Sequence, residues 1–476
     1  MLKKQRSKRT PLVTGSIFYK YFSCPHWPYW DVFGRARGKS RRGRFAELLL
    51  EQGLLDEQEA LKNLKPVEVR GRTAAERRRQ TLKLMRTGTE LIGHGTLRDG
   101  DLSGEPDLLE KRTDRSSELG PWHYVPIEIK SAEKLSDAHR AQLSLYGELL
   151  SRVQGLRPEM GYVLNRSGVR LGFPLADFAA DFERLLAEIR PILAGQQPPP
   201  HLSSGCKQSP WFAECRRLAE RTNDVAQLYN VRKKALTALR ERGVRTVADA
   251  LKMKPDDYAD DDAAGLSPDL LARLVIQAKA LTEKKHFLRA PIELPSSKTE
   301  IFFDIEGDPL RQVEYLFGFL VRDAGGERYE YQLAERPEDE RRMWQEFLGW
   351  CERLPDDYIV YHYGTYEKSR LATLERQYDG NKALKKFRSR LVDLNEIIKD
   401  AVVFPLYFYG LKDIGEYVGF ERAGRIENGG DSVAYYEDWL RLGRRSKLDA
   451  VIEYNRDDVE ETRFLKDWLA KQSPEA

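Results

Sequence analysis

Cysteine is scarce in this chain: Cys24, Cys206, Cys215 and Cys351 are the only four among 476 residues. That is too few to staple a fold, so a disulfide scaffold is excluded. Long apolar runs are missing too. None approaches the roughly 18 residues of a membrane-spanning helix, and the first residues are cationic where a secretory leader would be apolar. The expected setting is therefore cytoplasmic, without a membrane partner. No internal repeat is present, which removes solenoid and propeller architectures.

What remains is a soluble globular composition, 41% hydrophobic and 32% charged, in a chain of 55.0 kDa that is long enough for two or three domains. The charge is uneven. Residues 1–44 hold twelve Lys or Arg against Asp31 alone, a net +11 that leaves −7 on the remainder of a chain totalling +4. Aromatics are interleaved with these cations: Phe18, Tyr19, Tyr21, Phe22, Trp27, Tyr29 and Trp30. Such an arm suits phosphate contact and base stacking; it equally suits a solvated tail followed by an aromatic core helix.

The most informative stretch is IFFDIEGDP, from Ile301. Alternation along a strand puts Phe302, Asp304 and Glu306 on one face and Ile301, Phe303 and Ile305 on the other. The strand is thus expected to be buried behind and acidic in front. Two neighbouring carboxylates repel unless neutralised, and the natural neutraliser of paired oxygen ligands is a hard divalent cation such as Mg²⁺ or Mn²⁺. Far downstream, YNRDDVEET carries Tyr454 and Asp458 at i and i+4 on one helical face.

Together these stretches resemble the DEDDy group of RNase H-like 3′→5′ exonucleases, in which a strand carries D-x-E and a late helix carries Y-x-x-x-D. Between them YHYGTYEKSRL is similar to the middle motif of that group, with Glu367 where Asp is usual and Asp393 as a competitor. LYFYGLKDIGEYVGF resembles the segment preceding the last motif. The resemblance implies two divalent ions about 3.5–4 Å apart, held by Asp304, Glu306, Asp458 and Glu367 or Asp393. Tyr454 would orient the attacking water.

Nearer the N-terminus, GEPDLLEKR and YVPIEIKSA bring Pro106–Asp107 before a strand with Glu128 and Lys130 on one face and Ile127 and Ile129 on the other. AQLSLYGELL then carries Gln142 and Tyr146 at i and i+4. This pattern resembles the PD-(D/E)xK nucleases, and its Q-x-x-x-Y the RecB-like branch. The resemblance implies that Asp107 and Glu128 bind metal, that Lys130 activates water, and that Gln142, Tyr146 and Glu47 of the amphipathic GRFAELLLEQGLL support them.

Iron–sulfur members of that branch place one Cys before the core and three after it. Cys24, Cys206 and Cys215 fit three of those positions, but Ser209 stands at the fourth. Loss of the cluster, leaving packed thiols, is the expectation, with a degenerate iron–sulfur site as the alternative.

A proline-rich break, GQQPPPH, is followed by helical sequence in which Gly243 ends one helix, Thr246 and Asp249 form a capping box, and Ser267–Pro268 starts another. Short helices joined at Gly resemble helix-hairpin-helix modules, which grip phosphates without reading sequence; a plain spacer fits as well. The order of parts resembles a bacterial family of RecB-like nucleases with a C-terminal YprB-type RNase H-like domain.

The fold expected is α/β: a restriction-endonuclease-like core over residues 1–215, a connector over 216–290, and an RNase H-like domain with a mixed sheet over 291–476. The expected activity is metal-dependent phosphodiester hydrolysis of nucleic acid, DNA before RNA. A scaffold with one or both sites dead and an exoribonuclease are the alternatives.

Overall fold

The computed structural model describes residues 11–258 and 265–472. The chain divides into two compact units. Unit 1 comprises residues 1–42 and 49–218, and unit 2 comprises 43–48 and 219–476. Five of the twelve cations of the N-terminal arm precede residue 11 and so lie outside the described residues.

In unit 1, helices α1 (Gly15–Ser23) and α2 (His26–Phe33) precede α3 (Arg44–Leu64), whose first residues group with unit 2. There follow β1 (Val67–Glu68), α4 (Ala74–Arg86), β2 (Leu91–Gly93), a hairpin of β3 (Leu97–Asp99) and β4 (Leu102–Gly104), β5 (Leu108–Arg112) and β6 (His123–Lys130). Helix α5 (Asp137–Gln154) then crosses to β7 (Met160–Asn165), with β8 (Arg170–Pro174), α6 (Ala179–Ala194) and α7 (Phe212–Arg221) after it. The six-stranded sheet runs β1-β2-β5-β6-β7-β8, with β2-β5-β6 antiparallel and β7 parallel to β6.

Strand β6 is covered on both faces. Ile127 and Ile129 pack with Leu108 against Ala60 and Leu61 of α3, while Leu143 and Leu149 of α5 belong to the larger core on the other side. The aromatics of the N-terminal arm divide accordingly. Phe18 and Tyr21 sit in that larger core, with Phe18 5.8 Å from Phe182 between ring centroids, and are closed to base stacking. Tyr19 and Phe22 stay exposed.

Unit 2 begins with α8 (Lys233–Glu241), α9 (Val247–Leu251), α10 (Pro268–Glu283) and β9 (Phe287–Leu288). The caps read from the sequence form as expected. Gly243 adopts a φ of 87°, Thr246 and Asp249 make a reciprocal capping box, and Ser267 accepts from the amide of Leu270. These helices share a core of their own, with Leu236, Leu239, Val247, Leu271 and Leu274, and group with the rest of unit 2: Tyr229 stacks on Tyr409 at 3.9 Å, Gln277 reaches the carbonyl of Leu406 at 3.1 Å, and β9 pairs with β15 (Val402–Val403).

The main sheet of unit 2 contains β10 (Thr299–Asp308), β11 (Val313–Asp323), β12 (Gly326–Leu333), β13 (Tyr358–His362) and β14 (Leu391–Asp393), in the order β12-β11-β10-β13-β14. An antiparallel meander thus meets two parallel strands along β10. Helices α11 (Glu340–Glu352), α12 (Tyr366–Tyr378), α13 (Lys382–Ser389), α14 (Leu394–Ala401), α15 (Leu411–Val418), α16 (Gly429–Leu442) and α17 (Arg445–Leu469) complete the unit.

The alternation read along β10 holds, but the front of the strand is not an open acidic surface. Ile301, Phe303 and Ile305 pack with Trp344 and Phe347 of α11. On the opposite face Phe302 is buried with Val459 and Leu465 of α17 and stacks on Tyr361 at 5.6 Å. A sheet with parallel neighbours is covered on both sides, so the acids occupy only the strand's C-terminal end.

Candidate metal centres

At that end a register shift between Glu306 and Gly307 bends β10. Helix α17 crosses the same place with Tyr454 and Asp458 one turn apart. Ligand oxygens of Asp304, Glu306 and Asp458 lie within 4.8 Å of one another. Burial pushes all three carboxyls above the ordinary range. For Asp304 the charges of Asp458 and Glu367 push further in the same direction. Glu367, in the first turn of α12, is raised to about 8, first by burial and then by Asp393 and Asp458. Like charges gathered this closely disfavour one another's ionisation until a cation joins them. An all-oxygen donor set fits Mg²⁺ or Mn²⁺.

The two candidates for the fourth acid differ in how they are engaged. Asp393 caps α14 and accepts from the amides of Gly364 at 2.8 Å and Asn395 at 2.9 Å. Glu367 meets Nδ1 of buried His362 at 3.2 Å, and the charges of Asp393 and Asp458 both act on it.

Several residues at this centre escaped the motif reading. Asn455 donates to Oδ2 of Asp304 at 2.7 Å and takes a hydrogen bond from Tyr329 at 2.8 Å. Arg422, between α15 and α16, holds Oδ1 of Asp458 at 2.5 Å and also pairs with Glu461. Its loop is fixed by Asp457, which accepts from the amide of Gly424 at 2.8 Å. The sequence hinted at Asn455 and Asp457 only by adjacency within YNRDD; Arg422 carries no local signal. Tyr454 is buried one helical turn from Asp458, its ring 4.2 Å from the ammonium of Lys412.

Residues 301–470 match the RNase H superfamily model RNase_H_2. This RNase H-like domain contains every residue of the acidic centre just described. A search of curated proteins finds no match to the chain.

Unit 1 holds a second cluster. The register of β5 against β6 sets Asp107 beside Glu128, and Oδ2 of Asp107 accepts from the amide of Ile129 at 2.6 Å. Oε1 of Glu128 takes Lys130 Nζ at 2.7 Å and Gln142 Nε2 at 2.6 Å, and Gln142 also reaches the Tyr146 hydroxyl at 2.7 Å. Oε2 of Glu128 is buried with no hydrogen-bond partner. Burial first and Glu128 second raise Asp107 to about 8.

Glu47 does not join this cluster. It pairs with Arg44 on its own helix and groups with unit 2. Glu57, ten residues and about 15 Å further along α3, takes that place: it meets Nε2 of His94 at 2.7 Å, and a carboxylate oxygen of Glu57, a ring nitrogen of His94 and an oxygen of Asp107 lie within 4.8 Å of one another. Helix α3 carries Glu47, Glu51, Asp56, Glu57 and Glu59, so sequence alone could not choose among its acids. His94 also meets Glu68 at 2.8 Å. Glu57 first, and Glu68 with it, raise His94 to about 9, so a metal here would have to displace a proton from the imidazole to use it as a ligand.

The thiols of Cys24 and Cys215 approach to 3.9 Å, and Cys206 donates to the carbonyl oxygen of His201 at 3.0 Å. Buried Ser209 accepts from the amide of Trp211 at 3.2 Å. Cys351 lies apart in the core of unit 2. No helix among the described residues is long and apolar enough to cross a membrane.

Proposed function

We propose that the RNase H-like domain hydrolyses phosphodiester bonds at the 3′ ends of nucleic acid with the help of divalent metal. The carrying observation is the convergence of Asp304, Glu306 and Asp458 within 4.8 Å. These carboxylates, with Glu367, are the metal ligands. Ions bound there would polarise the phosphate and supply a nucleophile at neutral pH. Asn455 fixes the angle of the Asp304 carboxylate, and Arg422 does the same for Asp458. The Tyr454 hydroxyl, one helical turn from Asp458, orients the attacking water. Burial first, and then the charges of Asp458, Glu306 and Asp304, push the phenol far above its ordinary range, so Tyr454 could act as a base itself only with bound metal lowering that value. DNA is the favoured substrate and RNA the alternative, because no contact here distinguishes a 2′-hydroxyl.

Unit 1 is assigned a second, RecB-like nuclease site in which Asp107, Glu128, Glu57 and His94 hold metal and Lys130 faces the scissile phosphate. The antiparallel β2-β5-β6, the crossing helix α5 and the parallel β7 support a PD-(D/E)xK core. The unpartnered oxygen of Glu128 supports a missing cation. A binding scaffold with silent sites is the competing reading.

End-labelled single-stranded DNA, duplex DNA and RNA, each incubated with Mg²⁺, Mn²⁺ or EDTA, provide the test. Laddering from the 3′ end that requires metal is expected. No cleavage of any substrate leaves the scaffold.

A further inference from the structure

Two cations of the RNase H-like domain act on Asp458, and they are used differently. Arg422 is consumed within the protein: its guanidinium holds Asp458 and Glu461 and reaches the carbonyl oxygen of Tyr454 at 3.3 Å. Lys412, near the start of α15, makes no salt bridge among the described residues. Its ammonium donates one hydrogen bond, to the carbonyl oxygen of Glu427, and lies 4.2 Å from the centroid of the Tyr454 ring. The side chain is partly exposed. The charges that act on it are those of Asp458, Glu306 and Glu461, with Arg422 opposing.

An ammonium carries three donors, and a carbonyl plus a ring face leave it capacity for another partner. A cation that flanks a metal-binding acid cluster without joining it is placed to meet the anion that arrives there. In a phosphodiester hydrolysis that anion is a non-bridging oxygen of the scissile phosphate, whose charge grows in the transition state. A lysine presents a mobile point charge suited to such an oxygen.

We infer that Lys412 is a catalytic residue of the RNase H-like centre, its ammonium donating to a non-bridging oxygen of the phosphate under attack from beside the ring of Tyr454. This rests on the hydrolytic reading of that centre. A tether for the Glu427 segment is the competing role, and it calls for no charge at the phosphate.

The test compares wild type, Lys412→Met and Lys412→Arg in the full chain. Three quantities are read: Mn²⁺-dependent trimming of a 5′-fluorescein single-stranded oligonucleotide, Mn²⁺ affinity by calorimetry, and oligonucleotide affinity by anisotropy with Ca²⁺ in place of Mn²⁺. Lys412→Met should lower kcat on the order of 100-fold, as loss of one transition-state donor does. Mn²⁺ affinity should stay equal or tighten, because a positive charge has left the acid cluster. Lys412→Arg should recover part of the rate. Turnover within about threefold of wild type, far below the effect of a transition-state donor, would overturn the assignment. So would parallel loss of Mn²⁺ binding, which would mark Lys412 as scaffold. If wild type cleaves nothing, the hydrolytic reading fails and the Ca²⁺ measurement decides: weaker oligonucleotide binding by Lys412→Met keeps the phosphate contact, and unchanged binding removes it.

Discussion

Asn455 donates from Nδ2 to Oδ2 of Asp304 at 2.7 Å, and so pins β10 to the helix that carries Asp458. The contact depends on Gly318. A Cβ at that position of β11, opposite Asp304, would stand 1.6 Å from Oδ1 of Asn455. Gly318→Ala should therefore displace Asn455 and cost about 1–3 kcal/mol, the usual penalty for overpacking a core. Asn455→Ala should leave the fold intact but lower trimming by roughly 10–100-fold, as loss of a residue that orients a metal ligand does. Urea unfolding and 3′-end trimming check the two substitutions; an active Gly318→Ala protein with unchanged stability would contradict the contact.

Asp458→Asn keeps the shape of the side chain and removes one ligand charge. Trimming should drop by orders of magnitude, since metal-borne stabilisation is worth several kcal/mol. Lys130→Ala should leave 3′ trimming alone and abolish only cleavage that arises in unit 1, because the two clusters lie in separate units with separate cores. Product ladders from both variants on one substrate would separate the sites. Loss of every product in Asp458→Asn alone would make unit 1 a binding platform.

The carboxylate of Asp31 gives unit 1 an acid-sensitive joint. Burial pushes its pKa up, but hydrogen bonds from Trp211, Lys39 and Lys20 outweigh this and hold it below the ordinary 3.8. A folded-state pKa below the unfolded one stabilises the fold above the unfolded value and loses that contribution as pH falls through the folded value. Asp31→Asn should thus lower the urea midpoint of unit 1 at pH 6, and the gap to wild type should close below about pH 3.8. A gap that persists undiminished in acid would rule the carboxylate out as its source.

The three thiols of unit 1 have no fourth cysteine beside them in the sequence pattern, because buried Ser209 stands at that position and accepts from the amide of Trp211. Protein purified without oxygen should show no visible iron–sulfur absorbance, and Ser209→Cys should increase iron uptake if the cluster was lost at this position. Stoichiometric iron and sulfide in wild type would reverse the expectation.

Local chemistry made much of this protein legible in its sequence. Period-two alternation identified β10 and β6, i,i+4 spacing put Tyr454 with Asp458 and Gln142 with Tyr146, and Ser267, Thr246 and Gly243 marked helix ends, because each depends only on neighbours along the chain. Tertiary structure decided what distance along the chain conceals. It covered the acid-bearing face of β10 with α17, so that Phe302 is core and only Asp304 and Glu306 reach the site. It turned Glu57 of α3, not Glu47, toward His94 and Asp107, a choice set by how a helix with acids on several faces lies on a sheet. It brought in Arg422 from outside any motif and set Lys412, one residue of LYFYGLKDIGEYVGF, beside the acids, because the field of buried carboxylates recruits cations by proximity in space, whatever their position in sequence.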